Sequence, residues 1–109
     1  MKCVTKVQAG VCGFTTSIAA DAPDEQMVGF QIESDCPRIS GLAEALHGQQ
    51  VDAYQEIGKG ADGVVLSTAR ECIAGCCAAC VVPPAVFEAL QVAARLALPR
   101  DITIEITAE

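Results

Sequence analysis

The chain has 109 residues and a formal net charge of −7, and 51% of its residues are hydrophobic while only 19% are charged. This length and composition predict one folded domain, residues 1–109, and exclude a disordered chain. The negative charge disfavours nucleic acid and anionic membrane surfaces as partners, because their phosphates would be repelled. No apolar stretch is long enough for a membrane span, and the first residues do not resemble a signal peptide.

The N-terminal part of the chain predicts three β-strands. Residues 3–9 and 14–20 are rich in β-branched side chains and flank the turn-forming stretch GVCG. Residues 27–34 alternate apolar and polar side chains, which is typical of a half-buried strand. The polar connection DAPDEQ between the second and third segments favours a meander.

Helical periodicity follows. Apolar residues within 39–46 recur at the spacing of one helical face, residues 64–80 predict a largely helical segment, and the last helix begins at Pro83 or Pro84. After it, isoleucines alternate with polar residues over 102–107 and predict a closing strand. We therefore expect an α+β fold: an antiparallel sheet of about four strands, three N-terminal and one C-terminal, with helices packed on one face.

Seven cysteines are an unusual feature of a chain this short. An odd number leaves one thiol unpaired in any framework of intrachain disulfides, and nothing in the sequence indicates secretion. We therefore expect a cytoplasmic protein with reduced thiols. In that setting cysteines act as core residues, as metal ligands or as redox groups.

Three cysteines fall at turns or before helices. Cys12 lies in the predicted first turn, Cys36 directly precedes Pro37 at the first helix, and Cys80 precedes the last helix. Loops and helix starts at one end of a sheet can converge. Helix N-termini also favour the thiolate form that binds metals. These three residues are therefore the first candidates for metal ligands.

The segment CIAGCCAAC adds further sulfur donors. On a continuous helix, Cys72, Cys76 and Cys80 would lie at i, i+4 and i+8 and form one stripe. Cys76 and Cys80 would then bind one metal centre together with Cys12 and Cys36, and Cys72 would stand beside them. Four thiolates suit an iron–sulfur cluster or, as the alternative, a tetrahedral zinc ion.

The motifs VCGF, SDCP and AACVVP, and the spacing of their cysteines, resemble the pattern of IscU/NifU-type iron–sulfur cluster scaffolds. The resemblance implies a scaffold-like fold, a cluster bound by Cys12, Cys36 and Cys80, and protein partners in cluster or metal handling. Phe14 and Ala79 stand where those scaffolds carry Asp and His. A second resemblance, carried by CGF, SDC, CVVP and ALPRDITIEI, is to a family of small uncharacterised proteins of anaerobic microbes and implies no function.

Two alternatives stay open. Cys77 and Cys80 form a C-x-x-C motif, so a thiol redox or sensor protein using Cys76, Cys77 and Cys80 is one of them. The other is a structural protein, either a monomer or a homodimer, in which the cysteines fill the core. Cys77 would lie off the proposed sulfur stripe, and Cys3 is expected to be buried in its strand. The single histidine, His47, is predicted to cap a helix, and without a catalytic set we expect no enzyme.

Overall fold

The structure, a computed structural model, describes the backbone of residues 1–109 and every side chain except that of Cys76. The described backbone forms four strands and four α-helices, which confirms the predicted α+β class. In chain order these elements are β1 (Lys2–Gln8), β2 (Thr15–Asp21), β3 (Met27–Ser34), α1 (Pro37–Leu46), β4 (Gln50–Asp52), α2 (Ala53–Lys59), α3 (Val64–Cys72) and α4 (Val82–Ala93). None of the described helices is long and apolar enough to cross a membrane.

The strands form one antiparallel sheet in the order β1-β2-β3-β4. β1 pairs with β2 along its whole length, from Lys2 opposite Asp21 to Gln8 opposite Thr15. β2 and β3 continue the same meander, so the three predicted N-terminal strands are confirmed. β4 pairs with the start of β3 at the other edge. Its three residues are too few to show an alternating pattern, which is why the sequence did not reveal it.

The predicted C-terminal strand is wrong. Residues 102–107 form no strand, and the side chains of Ile102, Ile104 and Ile106 are 63%, 63% and 91% exposed. Alternating isoleucines indicate that a segment suits an extended conformation, but a strand also needs a neighbour for its backbone hydrogen bonds. The segment has no such neighbour in this chain, and β4 is the fourth strand of the sheet.

The hydrophobic core lies between one face of the sheet and the helices. Alternate residues of each strand point to this face, and α1 and α4 present their apolar stripes to it. The opposite face carries mostly polar or small side chains and is largely exposed, with Val4 as an exposed apolar residue. This arrangement confirms that the helices cover one face of the sheet. The largest completely buried residues of the core are Ile18, Val28, Leu42, Leu46, Val65, Val86 and Leu90.

Asp52 starts the helical connection between β4 and α3 by capping α2. One carboxylate oxygen accepts hydrogen bonds from the backbone N–H groups of Tyr54 and Gln55, at 2.9 and 3.2 Å, and the other accepts one from the Gln26 side chain at 2.8 Å. These bonds, that of Gln26 first, hold the pKa of the Asp52 carboxyl below its usual value. The stabilisation they provide is therefore present at neutral pH and is lost as the pH falls through the lowered pKa.

A buried carboxylate joins α2 to α3. Glu56 is only 2% exposed, and its two oxygens accept hydrogen bonds from the backbone N–H groups of Val64 and Val65, at 2.9 and 2.6 Å. These N–H groups belong to the first turn of α3 and have no partner within the helix. Gly63 leaves room for the carboxylate, because a Cβ at that position would lie 2.7 Å from Glu56 Oε2.

We expect the substitution Glu56→Ala to lower the free energy of unfolding by about 2–4 kcal/mol, because it leaves one buried and one partly buried N–H group without their charged acceptor. Gly63→Ala should act in the same direction by displacing the carboxylate. Chemical denaturation measures both. Glu71→Ala, which removes an exposed glutamate of α3, is the control and should change stability little. Equal stability of the Glu56 and Glu71 variants would contradict the role assigned to Glu56.

Candidate cysteine site

Cys12 and Cys36 lie at the same end of the sheet. Cys12 ends the 3-10 turn that joins β1 to β2, and Cys36 is the second of the two residues between β3 and α1. The two connections are adjacent, because the Asp35 N–H donates a hydrogen bond to the Thr15 carbonyl at 3.3 Å. The antiparallel meander thus brings Cys12 and Cys36, the first two predicted ligands, to one end of the sheet.

α4 brings Cys80 to this end as well. Arg95, two residues after α4, forms an ion pair with Glu25 in the β2–β3 turn, with 2.7 Å between Nε and Oε1. The C-terminal end of α4 is therefore at the end of the sheet opposite Cys12 and Cys36. α4 packs along β1 and β2 and spans about 18 Å. Its first turn, which begins two residues after Cys80, consequently lies near the Cys12 and Cys36 end.

The cysteine-rich segment is not one helix. α3 ends at Cys72, Ile73 is extended, and a 3-10 turn covers Gly75–Cys77. Gly75 has a φ of +64°, a left-handed conformation that cannot continue a right-handed helix. The prediction that Cys72, Cys76 and Cys80 form one helical stripe is therefore wrong, because the segment changes direction between Cys72 and Cys80.

Arg38 holds the cysteine-rich segment against α1. Its Nη1 donates a hydrogen bond to the Ala74 carbonyl at 2.7 Å. Since Arg38 is only two residues after Cys36, this contact fixes the segment beside the start of α1. The sequence contained no signal for the contact, because the acceptor is a backbone carbonyl, which every residue has.

Cys77 and Cys80 are the two ends of a tight turn. The Cys80 N–H donates a hydrogen bond to the Cys77 carbonyl at 3.0 Å. In a turn of this kind the first and fourth Cα atoms lie within about 7 Å of each other. The C-x-x-C motif therefore brings two cysteines together locally, without a continuous helix.

The described thiols differ in their exposure. Cys12 is exposed, and its Sγ donates a weak hydrogen bond to the Ala9 carbonyl at 3.7 Å. Cys3, predicted to be buried, is half-buried on β1. The side chain of Cys76 lies outside the described residues, so its predicted role as a ligand is not placed. The remaining cysteines are half-buried and pack against the hydrophobic core: Cys36, Cys72, Cys77 and Cys80.

No coordination sphere is assembled by the side chains that the structure describes. Among them, no three Cys, His, Asp or Glu residues lie close enough together to hold a metal ion. Cys12, Cys36 and Cys80 share one end of the sheet without meeting at one point. His47 is the C-cap residue of α1, as predicted, and the ten-residue helix separates it from Cys36.

Comparison with known protein families gives one match. The model of a family of unknown function, DUF6951, matches residues 3–106, and the chain therefore belongs to this family. Neither the curated proteins nor the solved structures give a match. The resemblance to IscU/NifU-type scaffolds has no support from these comparisons and stays a prediction, as does an anaerobic origin.

We expect Cys12 to be the first of the described cysteines to react with a thiol reagent in the native protein, ahead of Cys36, Cys72 and Cys80. Peptide mass spectrometry after timed labelling measures each site. Arg38→Ala should speed labelling of Cys80 by up to about tenfold, because it removes the charged hydrogen bond that fixes the segment. Arg95→Ala, at the other end of the sheet, is the control. Modification of Cys36 before Cys12 would contradict the placement.

Proposed function

We propose that this DUF6951 protein is a non-catalytic metal-binding protein that holds an iron–sulfur cluster, or alternatively zinc, on cysteine thiolates. The first ligands are Cys12, Cys36 and Cys80, and Cys72 and Cys76 are further donors. The observation that carries the proposal is that three separate connections of the fold bring Cys12, Cys36 and the segment before α4 to one end of one sheet.

The chemistry of the donors supports this proposal. Thiolates are soft ligands that suit iron–sulfur clusters and zinc. Cys36 is the N-cap residue of α1, where the helix dipole favours negative charge, and its backbone N–H is already bonded to Ser34 Oγ at 3.1 Å. The exposure of Cys12 gives an incoming metal or a donor protein direct access to one ligand.

Binding requires two short segments to close on Cys36. Cys12 lies in a turn whose hydrogen bonds are local, such as that from the Gly13 N–H to the Gly10 carbonyl. The segment between α3 and α4 is likewise held by short-range turns and by the Arg38 contact. Metal binding supplies the free energy for such closure in many small metal sites, since a complete site need not exist before the ion arrives.

The proposal also includes the location of the protein and its partners. Thiols stay reduced in the cytoplasm, where we place the protein, and its partners are proteins of cluster or metal handling. At Phe14 and Ala79 the chain lacks the Asp and His of the scaffold pattern, so we do not propose transfer of the centre to another protein. We assign no catalytic step.

We expect the protein purified without oxygen to contain iron and acid-labile sulfide in stoichiometric amounts and to absorb broadly near roughly 400 nm. The triple variant Cys12→Ser/Cys36→Ser/Cys80→Ser should lose both, whereas Cys3→Ser, which alters a half-buried thiol on β1, should retain them. Zinc without sulfide would identify a tetrahedral zinc site. A protein that binds no iron, sulfide or zinc would overturn the proposal.

The tight turn from Cys77 to Cys80 favours one second candidate, a thiol redox or sensor function. A disulfide needs Cα atoms about 4.4–6.8 Å apart, and a four-residue turn places its ends in this range. Oxidation would remove two protons and two electrons from the two thiols. A low-molecular-weight disulfide would take them up and be reduced to two thiols.

For this candidate we expect a single two-electron step in a titration against glutathione, with a Cys77–Cys80 disulfide in the peptide map. Cys77→Ser and Cys80→Ser should each abolish the step, and Cys72→Ser should leave it unchanged. If no two-electron step occurs in the wild-type protein without metal, the redox function is excluded.

A further inference from the structure

β1 is an edge strand with a complete row of unused backbone groups. The Met1 and Ala22 backbones exchange two hydrogen bonds, at 2.8 and 3.1 Å, and so fix which residues of β1 bond to β2. Because bonding alternates along an antiparallel pair, the N–H and C=O groups of Lys2, Val4 and Lys6 point away from β2. No strand covers this edge in the described chain.

The segment 101–107 has the alternating side-chain pattern of a strand but pairs with no strand of the described chain. Ile102, Ile104 and Ile106 alternate with Asp101, Thr103, Glu105 and Thr107, and every one of these residues is exposed. In an extended conformation the three isoleucines would lie on one side of the segment, and pairing with a sheet would reduce the cost of their exposure to water.

The charges of the edge and of the segment are complementary. Lys2 and Lys6 are exposed on the same side of β1, four residues apart, and Asp101 and Glu105 have the same spacing in the segment. Lysines on an edge strand repel another basic edge but attract an acidic strand. We propose that segment 101–107 adds to the β1 edge of a second copy of this chain, and that two copies exchange their segments reciprocally.

One antiparallel register satisfies the charges and the apolar pattern together. With Lys6 opposite Asp101 and Lys2 opposite Glu105, Val4 faces Thr103 on the open side of the sheet. The isoleucines then fall on the other side, where Cys3 and Thr5 of β1 are half-buried. The outward N–H and C=O groups of β1 form the hydrogen-bonded pairs of this register.

A second copy fits this edge better than the segment of the same chain. The single chain leaves its own β1 edge unpaired and keeps residues 101–109 exposed. Reciprocal exchange uses both β1 edges and both segments in a closed two-fold dimer, so neither is left for a third copy. The contact lies along Lys2–Lys6 and leaves the turn that carries Cys12 uncovered.

Charge reversal tests the exchange. We expect sedimentation equilibrium, with reductant present, to show a wild-type dimer at twice the monomer mass of 11.3 kDa. One variant carries Lys2→Glu/Lys6→Glu and the other Asp101→Lys/Glu105→Lys. Each should dimerise at least about tenfold more weakly than wild type, because attractive pairs become repulsive. An equimolar mixture of the two should form a heterodimer with near wild-type affinity, since each edge again meets a segment of opposite charge.

Two further variants test whether the dimer needs the isoleucines and whether a charge change elsewhere on the surface is enough to dissociate it. Ile104→Lys alters a side chain exposed in the monomer and should also give monomers, and circular dichroism confirms that the fold is kept. Lys59→Glu/Arg70→Glu makes the same charge change on exposed helical residues and should leave the dimer intact.

A monomeric wild-type protein overturns the proposal. If segment 101–107 of that monomer is protected from hydrogen exchange, the segment pairs within its own chain. A dimer that survives deletion of residues 101–109 overturns it too, as does a mixture that fails to restore association.

Discussion

The fold depends on the burial of one face of a four-stranded meander by two helices. Alternate side chains of the strands, among them Ile18 and Val28, need an apolar cover, and α1 and α4 provide it. The side chains on the other face are left in water, so the strands keep strict alternation. The same constraint leaves the β1 edge open, because no helix and no further strand of the described chain crosses it.

The burial of this face also determines where the connections lie. α4 must run along β1 and β2 to cover them, and the Arg95–Glu25 ion pair shows the direction in which it runs. The β1–β2 turn, the start of α1 and the start of α4 consequently lie at one end of the sheet. Cys12, Cys36 and Cys80 are near one another for this reason, and it would hold whether or not they bind a metal.

The helical connection between β4 and α4 determines where the cysteine-rich segment lies. Glu56 ties α2 to α3 through the first N–H groups of α3, and Arg38 then ties the segment after α3 to the start of α1. The first contact is buried and strong, whereas the second is a single exposed hydrogen bond. The cysteine-rich segment is thus placed by α3 on one side and by one exposed hydrogen bond on the other. This combination is compatible with closure around a metal centre and with a local dithiol at Cys77 and Cys80.

The sequence by itself determined the α+β class, the first three strands, the first and last helices and the junction positions of Cys12, Cys36 and Cys80. These features follow from short-range periodicity and turn chemistry. Only the tertiary structure decided the rest. It excluded a continuous helix through Gly75, it selected residues 50–52 as the fourth strand, and it left Ile102, Ile104 and Ile106 exposed. In each case the local pattern was compatible with more than one conformation, and the choice depended on which neighbours were available for backbone hydrogen bonds and burial.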